Sequence, residues 1–300
     1  MKRHLKLSCT ILGIVMFLIG CTNNKSAVPK VAVSKIAVSN SSNSNTDKTS
    51  TETAETAKSN SNTEANFISH AKTEVVKDVG IPVLMYHSIG YEKDNPVRLP
   101  VENLEKQMKY LKDNNYTTLS MEELYNYFEN NKAIPKKSIV LTFDDGYLDN
   151  YTKLYPVLKK YGFKGTIFVI TNAIDKGKDY LLSNQLKELD KNCLAIESHT
   201  AGHENLSELP YDKQLKTLKS SKEYLERTLN REVNYIAYPF GKYNQETLRA
   251  AKNAGYKMAF TTAGKWSDKS DGILTLDRVY ISGFFDLDTF IRRVTNPDYY

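Results

Sequence analysis

The chain has 300 residues, a formal net charge of +6, 40% hydrophobic residues, 11% aromatic residues and three cysteines. The positive balance is modest and dispersed, without the basic cluster that nucleic-acid binders carry, which argues against a nucleic-acid partner. Three cysteines cannot build a disulfide framework, so a hydrophobic core must hold the fold.

From the N-terminus, Lys2, Arg3 and Lys6 precede an apolar run from Leu7 to Gly20. The run is shorter than the ~20 residues a spanning helix needs, so residues 1–20 read as a secretory signal segment. Leu18-Ile19-Gly20-Cys21 resembles a bacterial lipobox, which would make Cys21 the lipidated first residue of the mature protein. The alternative is an uncleaved hydrophobic anchor. Either reading expects the rest of the chain at the extracellular face of the cell membrane, held to it at the N-terminus. Residues 21–78 are rich in Ser, Thr and Asn and poor in large apolar residues, the composition of a flexible tether. Residues 79–300 are expected to form one domain, and Cys193 is a small core residue with no disulfide partner.

Within that domain short apolar runs alternate with amphipathic segments. Ile81–His87 reads as a strand and Val101–Asn114 as a helix, with apolar residues at 104, 108 and 111. Ser120 and Glu123 form a capping box that opens a second helix ending near Asn130. Strand Ile139–Phe143, helix Asn150–Tyr161, strand Gly165–Ile170 and helix Ser183–Lys191 follow. Then come strand Leu194–Glu197, helix Asp212–Leu229, strand Tyr235–Tyr238 and helix Asn244–Asn253, closed by Gly255. Strands Lys257–Thr261 and Arg278–Ile281 and a short helix from Asp286 complete the chain. This alternation predicts a mainly parallel α/β sheet, closed or open, with chemistry at the C-terminal ends of its strands.

Polar residues gather at those ends. His87 closes the first strand, Asp144 and Asp145 follow another, His199 and His203 follow a third, and Tyr238-Pro239-Phe240-Gly241 follows a fourth. Two bare carboxylates side by side repel. A divalent cation shared by Asp145, His199 and His203 would absorb one charge and keep open positions for water, leaving Asp144 as the water's base. Other chemistries do not fit. A zinc-protease pair needs Glu after the first His, where Thr200 stands. A phosphatase would want its two Asp residues two apart, no glycine-rich phosphate loop opens a helix, and there is no serine nucleophile elbow.

These residues resemble the polysaccharide deacetylase family, carbohydrate esterase family 4. Thr142-Phe143-Asp144-Asp145-Gly146 is similar to its first motif, His199-Thr200-x-x-His203 to its second and Tyr238-Pro239-Phe240-Gly241 to the core of its third. The likeness spans roughly Ile81 to Ile281. It implies a distorted (β/α) barrel and one divalent metal ion, usually zinc, on Asp145, His199 and His203. It also implies Asp144 as catalytic base and removal of N-acetyl groups from amino-sugar polymers, with the Phe240 backbone N–H at the oxyanion.

Two departures matter. The third motif usually carries an Arg two residues before its Pro, where Ala237 stands, so Arg278 is the candidate to orient Asp144. The late Leu-x-His motif that supplies the acid is absent, with Leu276-Asp277-Arg278 in its region. His87, in Pro82-Val83-Leu84-Met85-Tyr86-His87, resembles the acid-bearing first strand of a subgroup that deacetylates poly-β-1,6-N-acetylglucosamine in biofilms. Tyr238 and Trp266 are candidate substrate contacts, with Tyr147 and Tyr243 nearby in sequence to the motifs. The expectation is a monomeric surface N-deacetylase of poly-N-acetylglucosamine. The alternatives are the same chemistry on peptidoglycan or chitooligosaccharides, or a surface carbohydrate-binding protein that has lost turnover.

Overall fold

The computed structural model describes residues 75–299, so the expected signal segment, Cys21 and nearly all of the expected tether lie outside the described residues. In chain order, β1 (Val75–Val76), β2 (Val83–Tyr86), β3 (Ser88–Ile89) and β4 (Arg98–Leu99) lead into α1 (Val101–Asp113). Next come β5 (Thr117–Thr118), α2 (Met121–Asn130), β6 (Ile134–Pro135) and β7 (Ser138–Phe143). A π turn over Asn150–Leu154 runs straight into α3 (Tyr155–Tyr161). Then β8 (Gly165–Val169), α4 (Ser183–Asp190), β9 (Leu194–Ser198), α5 (Tyr211–Leu229) and β10 (Tyr235–Ala237) alternate. The last elements are α6 (Gln245–Ala254), β11 (Met258–Phe260), β12 (Val279–Tyr280) and α7 (Leu287–Thr295).

The main sheet runs β11-β10-β9-β8-β7-β2-β12, with β5 paired to the start of β7 and every pairing parallel. It curls, and the segment 273–276 runs along the free edge of β11. There Ala259 N–H donates to Ile273 O, Leu276 N–H to Ala259 O and Thr261 N–H to Leu276 O. The result is the distorted (β/α) barrel expected from the sequence.

Side chains alternate across each strand, and both faces are buried, as a parallel sheet requires. Leu84, Leu141, Ile167, Ile196 and Val279 join the helices in one apolar cluster. Val83, Val140, Phe168, Ala237 and Phe260 face the other way and meet Leu124 and Phe128 of α2. Helix α2 therefore covers part of the inner face of the curl. Its N-terminus carries the capping box, with both the Ser120 and Glu123 bonds made. In α1, Leu104, Met108 and Leu111 form the buried stripe that their spacing predicts.

Two boundaries depart from expectation. Val75–Val76 pairs with Ile134–Pro135, and the Tyr127 hydroxyl bonds both Val79 N–H and Val79 O, so ordered chain begins ahead of residue 79. The helix expected over Asn150–Tyr161 opens as a π turn instead of an α turn. The two-residue strands β1 and β3–β6 are too short to leave a periodic signal.

Candidate metal and catalytic centre

The first motif sits where β7 leaves the sheet. Asp144 N–H still donates to Tyr86 O at 2.9 Å, so the backbone is strand-like up to that point. Asp145 then takes φ +75° and Gly146 φ +80°. Without these two left-handed residues, neighbouring side chains would point to opposite faces of the sheet. A Cβ on Gly146 would lie 2.9 Å from Val169 Cγ1, so only glycine fits this turn. The second motif follows β9 and is tied to β8 by His199 N–H donating to Val169 O at 2.9 Å. Ten described non-glycine residues have positive φ, and the three that are neither Asp nor Asn are Thr200, His203 and Phe240, all in the motifs. Strain of this kind clusters at functional sites.

Ligand-type atoms of Asp145, His199 and His203 all lie within 4.8 Å of one another. Asp145 Oδ1 is 3.5 Å from His199 Nε2 and 3.4 Å from His203 Nε2. It is buried and has no hydrogen-bond partner. A buried carboxylate oxygen left open in this way is costly unless a cation fills the gap. The tautomer of His199 also fits. Its Nδ1 lies 2.8 Å from Ala237 O, and since a carbonyl only accepts, Nδ1 carries the proton and Nε2 presents a lone pair. Burial pushes the His199 pKa down, against the raising pull of Asp144 and Asp145, which favours the neutral ring that ligation needs. Two imidazoles and one carboxylate suit a borderline divalent cation such as zinc.

Asp144 is 2% exposed and lies against Arg278, which is wholly buried. The pair is bidentate: Nη1 donates to Oδ1 at 2.7 Å and Nη2 to Oδ2 at 2.8 Å. Arg278 is itself fixed, with Nε donating to Thr261 O at 3.0 Å and Nη1 to Thr142 Oγ1 at 3.1 Å. Burial alone would raise the Asp144 pKa. The charge of Arg278 and its two hydrogen bonds outweigh it and hold the carboxyl at about 2. The residue just ahead of β12 thus supplies the guanidinium that Ala237 cannot offer.

The remaining sequence candidates divide. His87, half-buried just past the end of β2, has Nδ1 buried without a hydrogen-bond partner. Phe240 is exposed and sets its ring edge-on to His203 at 4.5 Å. Tyr147 stacks on Tyr180 at 5.4 Å, and burial together with the Asp145 charge pushes its phenol pKa well up. Tyr238 does not reach solvent. It is fully buried with its ring tilted against half-exposed Tyr243, so Tyr238 packs and Tyr243 meets the surface. Trp266 does not reach the site either. Its Nε1 donates to Arg293 O at 2.8 Å and it packs beside Gly80, while Ser267 bridges Ile81. That is the N-terminal end of β2, opposite the motifs, because the loop containing Trp266 folds back before β12 begins.

Sequence reading overlooked the corner that carries His87. Asn150, fully buried, donates from Nδ2 to His87 O at 3.1 Å. Asp149 accepts from Ser88 Oγ at 2.5 Å and from Ile89 N–H at 3.0 Å. The only available signal was a polar pair shortly after the first motif, at the start of a helix that could have been ordinary.

Comparison with known proteins agrees with this geometry. The family model described as polysaccharide deacetylase matches residues 131–259. The Bacillus subtilis (strain 168) protein YxkH, whose name places it among polysaccharide deacetylases, is 41% identical over 211 residues, covering 70% of this chain and 74% of that protein. The poly-beta-1,6-N-acetyl-D-glucosamine N-deacetylase of Staphylococcus aureus (strain MRSA252) is 31% identical over 191 residues, covering 59% of this chain and 66% of that protein. Among solved structures, Streptococcus pyogenes deacetylase PplD in complex with acetate superposes with a TM-score of 0.69 at 34% identity. It covers 73% of this chain and 99% of that one. BC0361, a polysaccharide deacetylase from Bacillus cereus, gives 0.65 at 30% identity, covering 72% of this chain and 69% of that one. Motifs, barrel and relatives agree, and the chain belongs to the polysaccharide deacetylase family.

Proposed function

We propose that the chain is a metal-dependent N-deacetylase of N-acetylglucosamine-containing surface polysaccharide, with poly-β-1,6-N-acetyl-D-glucosamine as the favoured substrate. The observation that carries the reading is the bidentate Arg278–Asp144 pair beside the Asp145–His199–His203 cluster. The staphylococcal relatives named for that polymer and the histidine at the end of β2 support the choice of substrate.

Asp145, His199 and His203 would hold the cation. When bound, it lowers the pKa of water and polarises the acetyl carbonyl, which lets a carboxylate as weakly basic as Asp144 take a proton. Asp144 stays ionised and is fixed by Arg278, and its remaining lone pairs accept the water proton as the C–O bond forms. The Phe240 backbone N–H is the protein donor assigned to the developing oxyanion. His87 gives a proton to the departing amine as the C–N bond breaks, so the products are acetate and a free amino sugar. The proposal includes anchorage at the extracellular face of the membrane through Cys21, with residues 22–74 as the tether.

Acetate release from β-1,6-linked and β-1,4-linked N-acetylglucosamine oligomers and from peptidoglycan, with and without a chelator, tests the reading. Chelator-sensitive release, greatest on the β-1,6 oligomers, is expected. Release only from β-1,4 oligomers or peptidoglycan would move the substrate. No release from any of them by zinc-loaded protein would leave a carbohydrate-binding protein without turnover.

A further inference from the structure

The turn that carries His199 and His203 is held by residues outside the three motifs. Thr200 at φ +65° and His203 at φ +59° are both strained, and a β-branched residue is least at ease in that region. Inside the turn, His203 N–H donates to Thr200 Oγ1 at 3.0 Å. The outer support comes from Glu204 and from Thr217 on α5. Thr217 Oγ1 donates to the Glu204 carboxylate, 2.8 Å from Oε1 and 3.0 Å from Oε2, and accepts from Ala201 N–H at 3.1 Å. Glu204 Oε2 also accepts from Gly202 N–H at 3.2 Å, and a Cβ on Gly202 would lie 2.9 Å from Oε1. The carboxylate thus folds back over the turn, where a side chain at 202 would have to push it aside. Thr217 is 6% exposed in the middle of a helix, a position that packing alone would fill with an apolar residue.

We propose that Glu204 and Thr217 are positioning residues for the cation site, linking α5 to the strained His199–His203 turn so that both imidazoles are set before the cation arrives. The proposal rests on reading Asp145, His199 and His203 as the ligands. Partners one layer behind a ligand set typically change metal affinity by about 10–100-fold when removed.

The test is Zn²⁺ affinity of the full chain, measured by competition with a chromophoric chelator, alongside the Tm of the metal-free protein. Glu204→Ala and Thr217→Val should each weaken Zn²⁺ binding by about 10–100-fold. The double variant should lose little more than the worse single one, because both cut the same linkage. Glu204→Gln, whose amide oxygen still accepts from Thr217, should recover part of the loss. Folded variants that bind Zn²⁺ as the parent does, with only the metal-free Tm lowered, would make the linkage purely structural and overturn the proposal. If Glu204→Ala does not fold, Thr217→Val decides alone, since valine keeps the shape of threonine. A parent chain that takes no Zn²⁺ would overturn the ligand reading and this inference with it, which separates the two failures.

Discussion

Asp144 and Asp145 are adjacent in sequence and opposite in circumstance. Asp145 has an open, buried oxygen facing two imidazole nitrogens, whereas both oxygens of Asp144 are taken by one guanidinium. The division predicts separable losses. Asp144→Asn should abolish deacetylation and leave Zn²⁺ binding in place, while His199→Ala should lose the ion, as equilibrium dialysis against a zinc buffer would show. Arg278 permits a sharper test. Arg278→Lys keeps the charge but cannot form the two-pronged bond, and a base displaced by about 1 Å can cost roughly 100-fold in rate. We expect kcat to fall by about that factor with the zinc Kd unchanged. Near-parental kcat in this variant would mean that Asp144 needs only a nearby charge. The role of Arg278 was partly legible in the sequence, because Ala237 left a vacancy and Arg278 stood at the start of another strand. What the sequence lacked was the strand order that sets β12 beside β2, with β7 as the next strand along.

At the scale of elements, long periodic segments were legible and the irregular ones were not. The α1 stripe, the α2 capping box and the Gly255 stop all report local physics, which sequence records directly. The π turn at Asn150–Leu154 depends on a tertiary partner, since Asn150 reaches across 63 positions to His87 O. Nothing in the local pattern marks it. Trp266 was misjudged for the same reason, since the loop that carries it runs away from the motifs, whereas Tyr238 lies within a motif but turns into the helix-facing core. The Asp149–Asn150 corner yields a prediction at this scale. Asn150→Ala removes the bond to His87 O from a fully buried position, so a stability loss of about 1–3 kcal/mol is expected. If His87 is the acid, kcat should also fall while Zn²⁺ binding stays at the parental level. Stopped assays at a temperature well below the variant's Tm would separate these effects. An unchanged kcat would show that the corner supports the fold alone.

Across the whole molecule the two ends of the barrel carry different burdens. The motifs lie at the C-terminal ends of the strands, yet a cavity of about 570 Å³ opens at the other end, lined by Ala195, Tyr235 and Lys257, where β9, β10 and β11 begin or are about to. Its floor is an ion network. Arg231 donates to Asp190 Oδ2 at 2.8 Å and to Glu197 Oε1 at 2.9 Å, while Glu197 Oε2 accepts from Tyr235 N–H at 2.9 Å. Glu197 is 3% exposed, so removing Arg231 would strand a buried carboxylate. In barrels of this kind the N-terminal end usually serves stability and the C-terminal end chemistry. Arg231→Met should therefore destabilise the chain by about 3 kcal/mol, the low end for breaking a buried pair because Arg231 itself is only partly buried. At roughly 2–4 °C per kcal/mol, calorimetry should show Tm falling by about 6–12 °C. Zn²⁺ affinity should not change, because His199 is anchored separately by Val169 O and Ala237 O. A variant that kept its Tm but lost zinc or turnover would reverse the assignment, making the lower cavity part of the working site.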